Sequence, residues 1–317
     1  MRPGAWSELA GWGETFTCYS SALAAWLAAE DGGWAGAVDA GLHLLLTEEG
    51  DGLFGFSHFP PDLGPRLGLA RRGTDDQDGA AAAIRHELEA GGRVIVNGDG
   101  FRLPWHVAFG RRHVPHWFTL LGGGEGPELV DPFECRTELG WQRPTRQALG
   151  WGELPALLEG LPGDDPVLAL REAFALGADD RPLPAQRCRW LAAGQSTGSS
   201  TPVGGTSGPE ALRRLARHFE EAGSSPKAYR QADDLWSIAR HRAFFARRAG
   251  VARDADRRAW AERHLAPLVA RWAHVAPLLM QARLGVEAAR APSSSVPDAL
   301  FEIADREAAV SASAPSG

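Results

Sequence analysis

Lysine is nearly absent from this 317-residue sequence: Lys227 is the only one among 33 basic residues, so almost every cation is an arginine. With the abundance of alanine and glycine, that bias points to a GC-rich bacterial genome rather than to a mechanism. A basic excess is also missing. The net charge of -7 argues against a nucleic-acid partner, which would favour a positive face. Cysteine is scarce: Cys18, Cys135 and Cys188 form no CxxC pair for zinc, and an odd, widely spaced set fits a reducing compartment better than a disulfide framework. No apolar run approaches the roughly 18 to 20 residues that a spanning helix needs. The start, MRPGAWSELAGWGETF, lacks the basic and apolar regions of a signal peptide. These absences predict a cytoplasmic protein with no membrane contact.

What remains is ordinary globular composition in a chain long enough for two modules. Residues 18–30 predict a helix, because Ala22, Leu23, Trp26 and Leu27 recur at helical spacing and Thr17 or Ser20 can cap the first turn. Leu42 to Leu46 reads as a short strand, and Asp78 to Ala90 returns to helix. Three strand-like runs follow, at 93–97, 117–121 and 128–131, the last two joined by a Gly-rich turn as a hairpin. The first part, 1–148, is therefore expected to be an α+β catalytic domain. From 149 the pattern changes to a mainly α-helical domain reaching 317. Within it GQSTGSSTPVGGTSG at 194–208 reads as a flexible loop, and a disordered tail is expected from about 312. Helical faces are carried by Leu212, Leu215, Ala216 and Phe219, by Leu235, Ile238, Ala239 and Arg242, and by Leu265, Leu268, Val269 and Trp272.

Three residues carry candidate chemistry. Cys18 sits at the predicted start of a helix, where peptide dipoles and free N–H groups favour a thiolate. A buried, inert cysteine is the plainer alternative. His116 opens one strand of the hairpin and Asp131 closes the next, so the two can meet at one end of the sheet. His106 and His113 lie nearby and compete for the same role, and an Asp before Pro132 is otherwise a common turn residue. Together they supply what cysteine catalysis needs: a thiolate, an imidazole to move its proton, and a third group that fixes the imidazole. The order, nucleophile early on a helix and histidine with its carboxylate on later strands, is the papain-like plan.

The stretches TCYSSAL (17–23), VIVNGDGFRLPWH (94–106), HWFTLLG (116–122) and LVDPF (129–133) resemble the butirosin-biosynthesis acyltransferase family (BtrH-like). SGPEALRRLA (207–216) and LFEIADRE (300–307) are similar to its helical module, though many bundles would match them. The resemblance implies a papain-like domain with a helical C-terminal module. It also implies transfer of an acyl group from an acyl carrier protein thioester, through acyl-Cys18, to a small-molecule amine acceptor in secondary metabolism, with no cofactor or metal. Asp99 falls on the family's aspartate, either to bind the acceptor amine or to hold its loop. A related bacteriocin-leader peptidase plan would use the same triad for hydrolysis, and a non-catalytic binding protein is a third alternative.

One departure stands out: no Gln or Asn precedes Cys18 to serve as an oxyanion donor, so only the Cys18 amide is assigned to that role. GGGEG at 122–126 is a turn rather than a phosphate cradle, since it does not connect a strand to a helix. His241 and His264, on helical stretches, are expected to be solvated. The arginines at 213, 214 and 217, and at 240, 242, 247 and 248, offer a candidate face for an acidic carrier.

Overall fold

The computed structural model describes residues 1–2, 4–30, 33–60, 63–161, 165–175, 186–194, 204–223, 225–288 and 295–315. In chain order the first elements are α1 (Ala5–Gly11), α2 (Cys18–Ala28), α3 (Trp34–Val38), β1 (Leu45–Glu48), β2 (Phe54–Ser57) and α4 (Leu63–Leu67). Then come β3 (Leu69–Thr74), α5 (Gln77–Gly91), β4 (Arg93–Asp99), β5 (Pro115–Leu121), β6 (Glu128–Asp131), β7 (Cys135–Thr137), β8 (Gly140–Gln142) and β9 (Thr145–Ala148). The remainder is α6 (Leu154–Leu158), α7 (Pro166–Ala173), β10 (Cys188–Ala193), β11 (Thr206–Ser207), α8 (Gly208–Ala222), α9 (Ala232–Gly250), α10 (Ala255–Trp260), α11 (Ala266–Trp272), α12 (Val275–Glu287) and α13 (Ser295–Ser313). The fold is thus mixed α and β with a helical C-terminal region. No helix among the described residues is long and apolar enough to cross a membrane.

Two compact units interleave along the chain. One comprises Met1–Val38, Asp62–Asp165 and Asp180–Ser199; the other comprises Asp39–Pro61, Pro166–Asp179 and Ser200–Gly317. This differs from the sequential division at 148/149 expected from composition. The reason is pairing: β10 (Cys188–Ala193) lies far along the chain yet enters the sheet of the first unit. Of the loop expected at 194–208, residues 195–203 lie outside the described residues, whereas 206–207 form β11 and 208 begins α8. The tail expected to be disordered from about 312 is helical through Ser313; residues 316–317 lie outside the described residues.

The sheet unit is built on six antiparallel strands in the order β3-β10-β4-β5-β6-β9. Because side chains alternate along a strand, Val94, Val96, Phe118 and Leu120 face one side, where they pack with Ile84 and Leu88 of α5. Across the sheet, Thr119 donates its hydroxyl to the Ala22 carbonyl of α2 at 2.7 Å, and Tyr19 meets Trp117 edge-on. A helix buried almost all round, as α2 is, needs such a sandwiched position. Gly98 sits opposite His116 in the ladder; a Cβ there would come within 3.0 Å of the Leu157 carbonyl, so the position admits only glycine comfortably.

The helical unit packs α8, α9, α11, α12 and α13 with the small sheet β11-β1-β2 around Leu212, Leu215, Ile238, Trp272, Leu300 and Ile303. Arg242 and Glu307 are fully buried inside it as an ion pair.

Candidate active site

Cys18 is the first residue of α2. Thr17 caps the helix by accepting from the Ser20 amide, while the Ser20 hydroxyl accepts from the Thr17 amide; this reciprocal box fixes where the helix starts. Ser21 donates to the Cys18 carbonyl at 2.8 Å. As the first helical residue, Cys18 has an amide with no helical acceptor, and its side chain is only partly buried.

His116 and Asp131 stand where the hairpin opens. Pairing of β5 with β6 runs from Leu121↔Glu128 to Thr119↔Val130 and stops there, so the two strands part before His116 and Asp131, which stay paired on their other sides with Gly98 and Thr145. His116 Nε2 and Asp131 Oδ2 are 2.8 Å apart, with both side chains sealed from solvent. That leaves Nδ1 free of Asp131, and the Cys18 side chain is the second group that favours charge on this ring. Burial disfavours charge on His116, but Asp131 first and Cys18 second outweigh it and raise the ring to about 10. Asp131 is held in turn: Trp105 Nε1 donates to Oδ2 at 3.0 Å, and the Phe133 amide donates to Oδ1 at 3.2 Å. The three residues singled out in the sequence therefore meet in one place.

The competing histidines occupy other positions. His113 bonds through Nδ1 to Asp99 Oδ2 and stacks on Phe101 at 4.4 Å. Asp99 Oδ1 accepts from the amides of Phe101 and Val114, at 3.0 and 3.2 Å. Asp99 is thus fully buried and tied to its own loop, its carboxylate bonded to Phe101, Val114 and His113 rather than to any residue of the triad. Of its two readings, loop support is the one this geometry carries. His106 instead lies beside His116, ring centroids 4.4 Å apart. The sequence pattern assigns no role to Trp105; its signal is its position directly after Leu103-Pro104, in the loop that returns to His116.

The hairpin β7–β8 clasps this loop. Gln142, buried, accepts from the Val107 amide at 2.8 Å, and Arg111 donates to the Leu139 carbonyl at 3.0 Å. Among the described residues no cluster of three or more His, Cys, Asp or Glu side chains is arranged to hold a metal ion. A cavity of about 320 Å³ lined by Leu88, Glu89, Gly122 and Trp151 lies at the opposite end of β5 from His116 and shares no residue with the triad.

The arginines proposed as a carrier-facing surface are largely engaged. Arg213 pairs with Asp305, Arg214 with Glu48, Arg217 with Glu210 and Arg248 with Asp39. Arg242 is buried and cannot meet a partner protein. His241, expected to be solvated, is buried against His58 and Phe59.

In comparison with known proteins, the chain matches no protein-family model and no curated protein.

Proposed function

We propose that the protein is a cysteine-dependent acyltransferase that accepts an acyl group on Cys18 from a carrier-protein thioester and passes it to an amine. The observation that carries this reading is the buried His116–Asp131 pair, whose charged ring is favoured by Asp131 and also by Cys18. Cys18 on a helix start and His116 and Asp131 on adjacent strands support a papain-like reading, as does the resemblance of the stretches around all three to the butirosin-biosynthesis acyltransferases.

In the first half-reaction the Cys18 sulfur attacks the thioester carbonyl. The tetrahedral intermediate collapses by breaking the bond to the carrier sulfur, which leaves as a thiol with the proton held on His116. In the second, the amine attacks acyl-Cys18 and gives its proton to His116 as the Cys18 sulfur departs as a thiolate, which restores the thiolate–imidazolium pair for another cycle. Asp131 stabilises the imidazolium and holds the ring in place. Trp105 and the Phe133 amide keep that carboxylate aimed at Nε2. The amide of Cys18 can donate to the developing oxyanion.

Incubation with an N-acetylcysteamine acyl-thioester tests this directly. Intact mass should show one acyl group on wild-type protein, mapped to Cys18, and none on Cys18→Ala. Adding amines should discharge it as amide. Discharge only to free acid would make the enzyme a hydrolase, and acylation of Cys135 or Cys188 at the rate of Cys18 would remove the nucleophile.

A further inference from the structure

The triad leaves one buried histidine of the same site unused. His106 lies with its ring centroid 4.4 Å from that of His116, tilted by 56°. Its protonation state is set by backbone: the Ala108 amide points at Nδ1 from 3.1 Å. A backbone N–H can only donate, so Nδ1 is the bare nitrogen and the neutral ring carries its proton on Nε2. The ring is also fixed in place. A Cβ on Gly100 would reach Nδ1 at 2.6 Å, so the glycine of the Gly98-Asp99-Gly100 turn leaves room for this imidazole. Burial, and then the positive charge on His116, hold His106 down to about 3, so it stays neutral while its neighbour is charged. The ring's hydrogen bond engages Nδ1 and leaves Nε2 over, in a residue still 9% exposed.

A neutral imidazole with a fixed N–H, beside the base and facing no protein acceptor, has the properties of a hydrogen-bond donor kept for the substrate. The chain also lacks a Gln or Asn ahead of Cys18 that would supply a second donor to the tetrahedral intermediate. We propose that His106 Nε2–H fills that place, donating to the oxygen of the acyl carbonyl as it becomes negative. This rests on Cys18 being the nucleophile. No proton is transferred by His106; it gives a hydrogen bond that strengthens as charge develops on oxygen, and the charge returns to the carbonyl when the intermediate collapses.

Two rates on the same sulfur separate the possibilities. Acylation of Cys18 by the N-acetylcysteamine thioester passes through an oxyanion, whereas alkylation by iodoacetamide does not. His106→Phe should slow single-turnover acylation by roughly 10²–10³ while leaving Cys18 alkylation within about threefold. His106→Gln, whose side-chain amide can place an N–H near the position of Nε2, should recover most of the acylation rate. Its pH profile from 5 to 9 should keep the wild-type shape. Wild-type acylation in His106→Phe would overturn the proposal, as would parallel loss of acylation and alkylation in both variants, which would make His106 a support for His116. If wild-type Cys18 itself neither acylates nor alkylates ahead of Cys135, the nucleophile reading fails first and the donor role falls with it.

Discussion

Each unit of this protein buries an ion pair, and the two pairs are used differently. In the helical unit Arg242 gives Nε and Nη2 to the two oxygens of Glu307, at 2.8 and 3.1 Å, and its remaining N–H groups to the carbonyls of Gly41, Leu42 and His43. Trp272 adds a further donor to Glu307 at 3.1 Å. That pair is closed and fixes three segments against one another. In the sheet unit His116 spends one nitrogen on Asp131 and keeps the other for a partly exposed cysteine. Burial is common to both pairs; what separates them is the ring nitrogen left over after the packing is complete.

The contrast can be broken in four places. The largest effect is expected in the sheet unit. Asp131→Asn, nearly isosteric, should keep the fold but lower turnover by about 10²–10⁴, as an amide in place of the carboxylate does in serine triads. Steady-state kinetics beside far-UV circular dichroism would check it, and near-wild-type turnover would deny His116 its partner.

The matching change in the helical unit should leave chemistry alone and remove stability. Arg242→Ala strands Glu307 without a counter-charge, at a cost of about 3–5 kcal/mol. Hydrogen exchange in α9 and α13 should rise accordingly. The double change Arg242→Met with Glu307→Leu should restore much of the loss, because an apolar pair of similar volume needs no desolvation. Exchange left at wild-type level in the single variant would mean that the pair is not what holds these helices.

Titration gives a third, smaller contrast. His241 is lowered to about 3 by burial and by Arg242, and His106 to about 3 by burial and by His116. An unfolded histidine takes its proton near 6.5, so acid favours the unfolded chain: each of these rings contributes stability above about 6.5 that fades as pH falls toward 3, roughly 2 kcal/mol each at pH 5. His116 has the opposite sign. With its folded value raised to about 10, its contribution is complete below about 6.5 and is lost as pH climbs toward 10. Segment-resolved exchange should therefore show acid weakening in both units but alkaline weakening through this group in the sheet unit alone. A symmetric alkaline response would break the comparison.

The smallest effect belongs to the surface. Arg213→Glu removes a cation already neutralised by Asp305 and Glu210, so acylation of Cys18 by a small thioester should not change measurably. A clear loss would mean that this arginine has a role its ion pairs conceal.

Much of the site could be read from the sequence because its parts are local signals. Thr17 and Ser20 mark a helix start, and a Gly-rich turn between Leu121 and Glu128 sets two strands back to back, bringing His116 and Asp131 to one end. His116 is preferred over His106 and His113 because it opens a strand; the structure adds that it alone of the three is bonded to Asp131, whereas His113 is bonded to Asp99. Strand β10 was missed for another reason. Its residues, CRWLAA, carry no alternating pattern, and both neighbours that define it lie about a hundred residues earlier. His241 was misjudged because a polar residue one step from Arg242 looks solvated until Glu307, 65 residues on, turns out to be buried against that arginine.

The late arrival of β10 also sets an order of assembly during synthesis. Among the described residues β3 pairs with β10 alone, and β10 separates it from β4. On the ribosome, α2 and the run from β4 to β9 can emerge and zip together by near-neighbour pairing. β3 must then wait, with its backbone groups unpaired, until residues 188–193 leave the exit tunnel. Through that interval the nascent chain carries two open strand edges, on β3 and on β4, each a template for pairing with another chain. Truncation anywhere before Cys188 would make the interval permanent. Fragments cut at the apparent end of the catalytic stretch, near 148, should therefore aggregate although every residue of the triad is present.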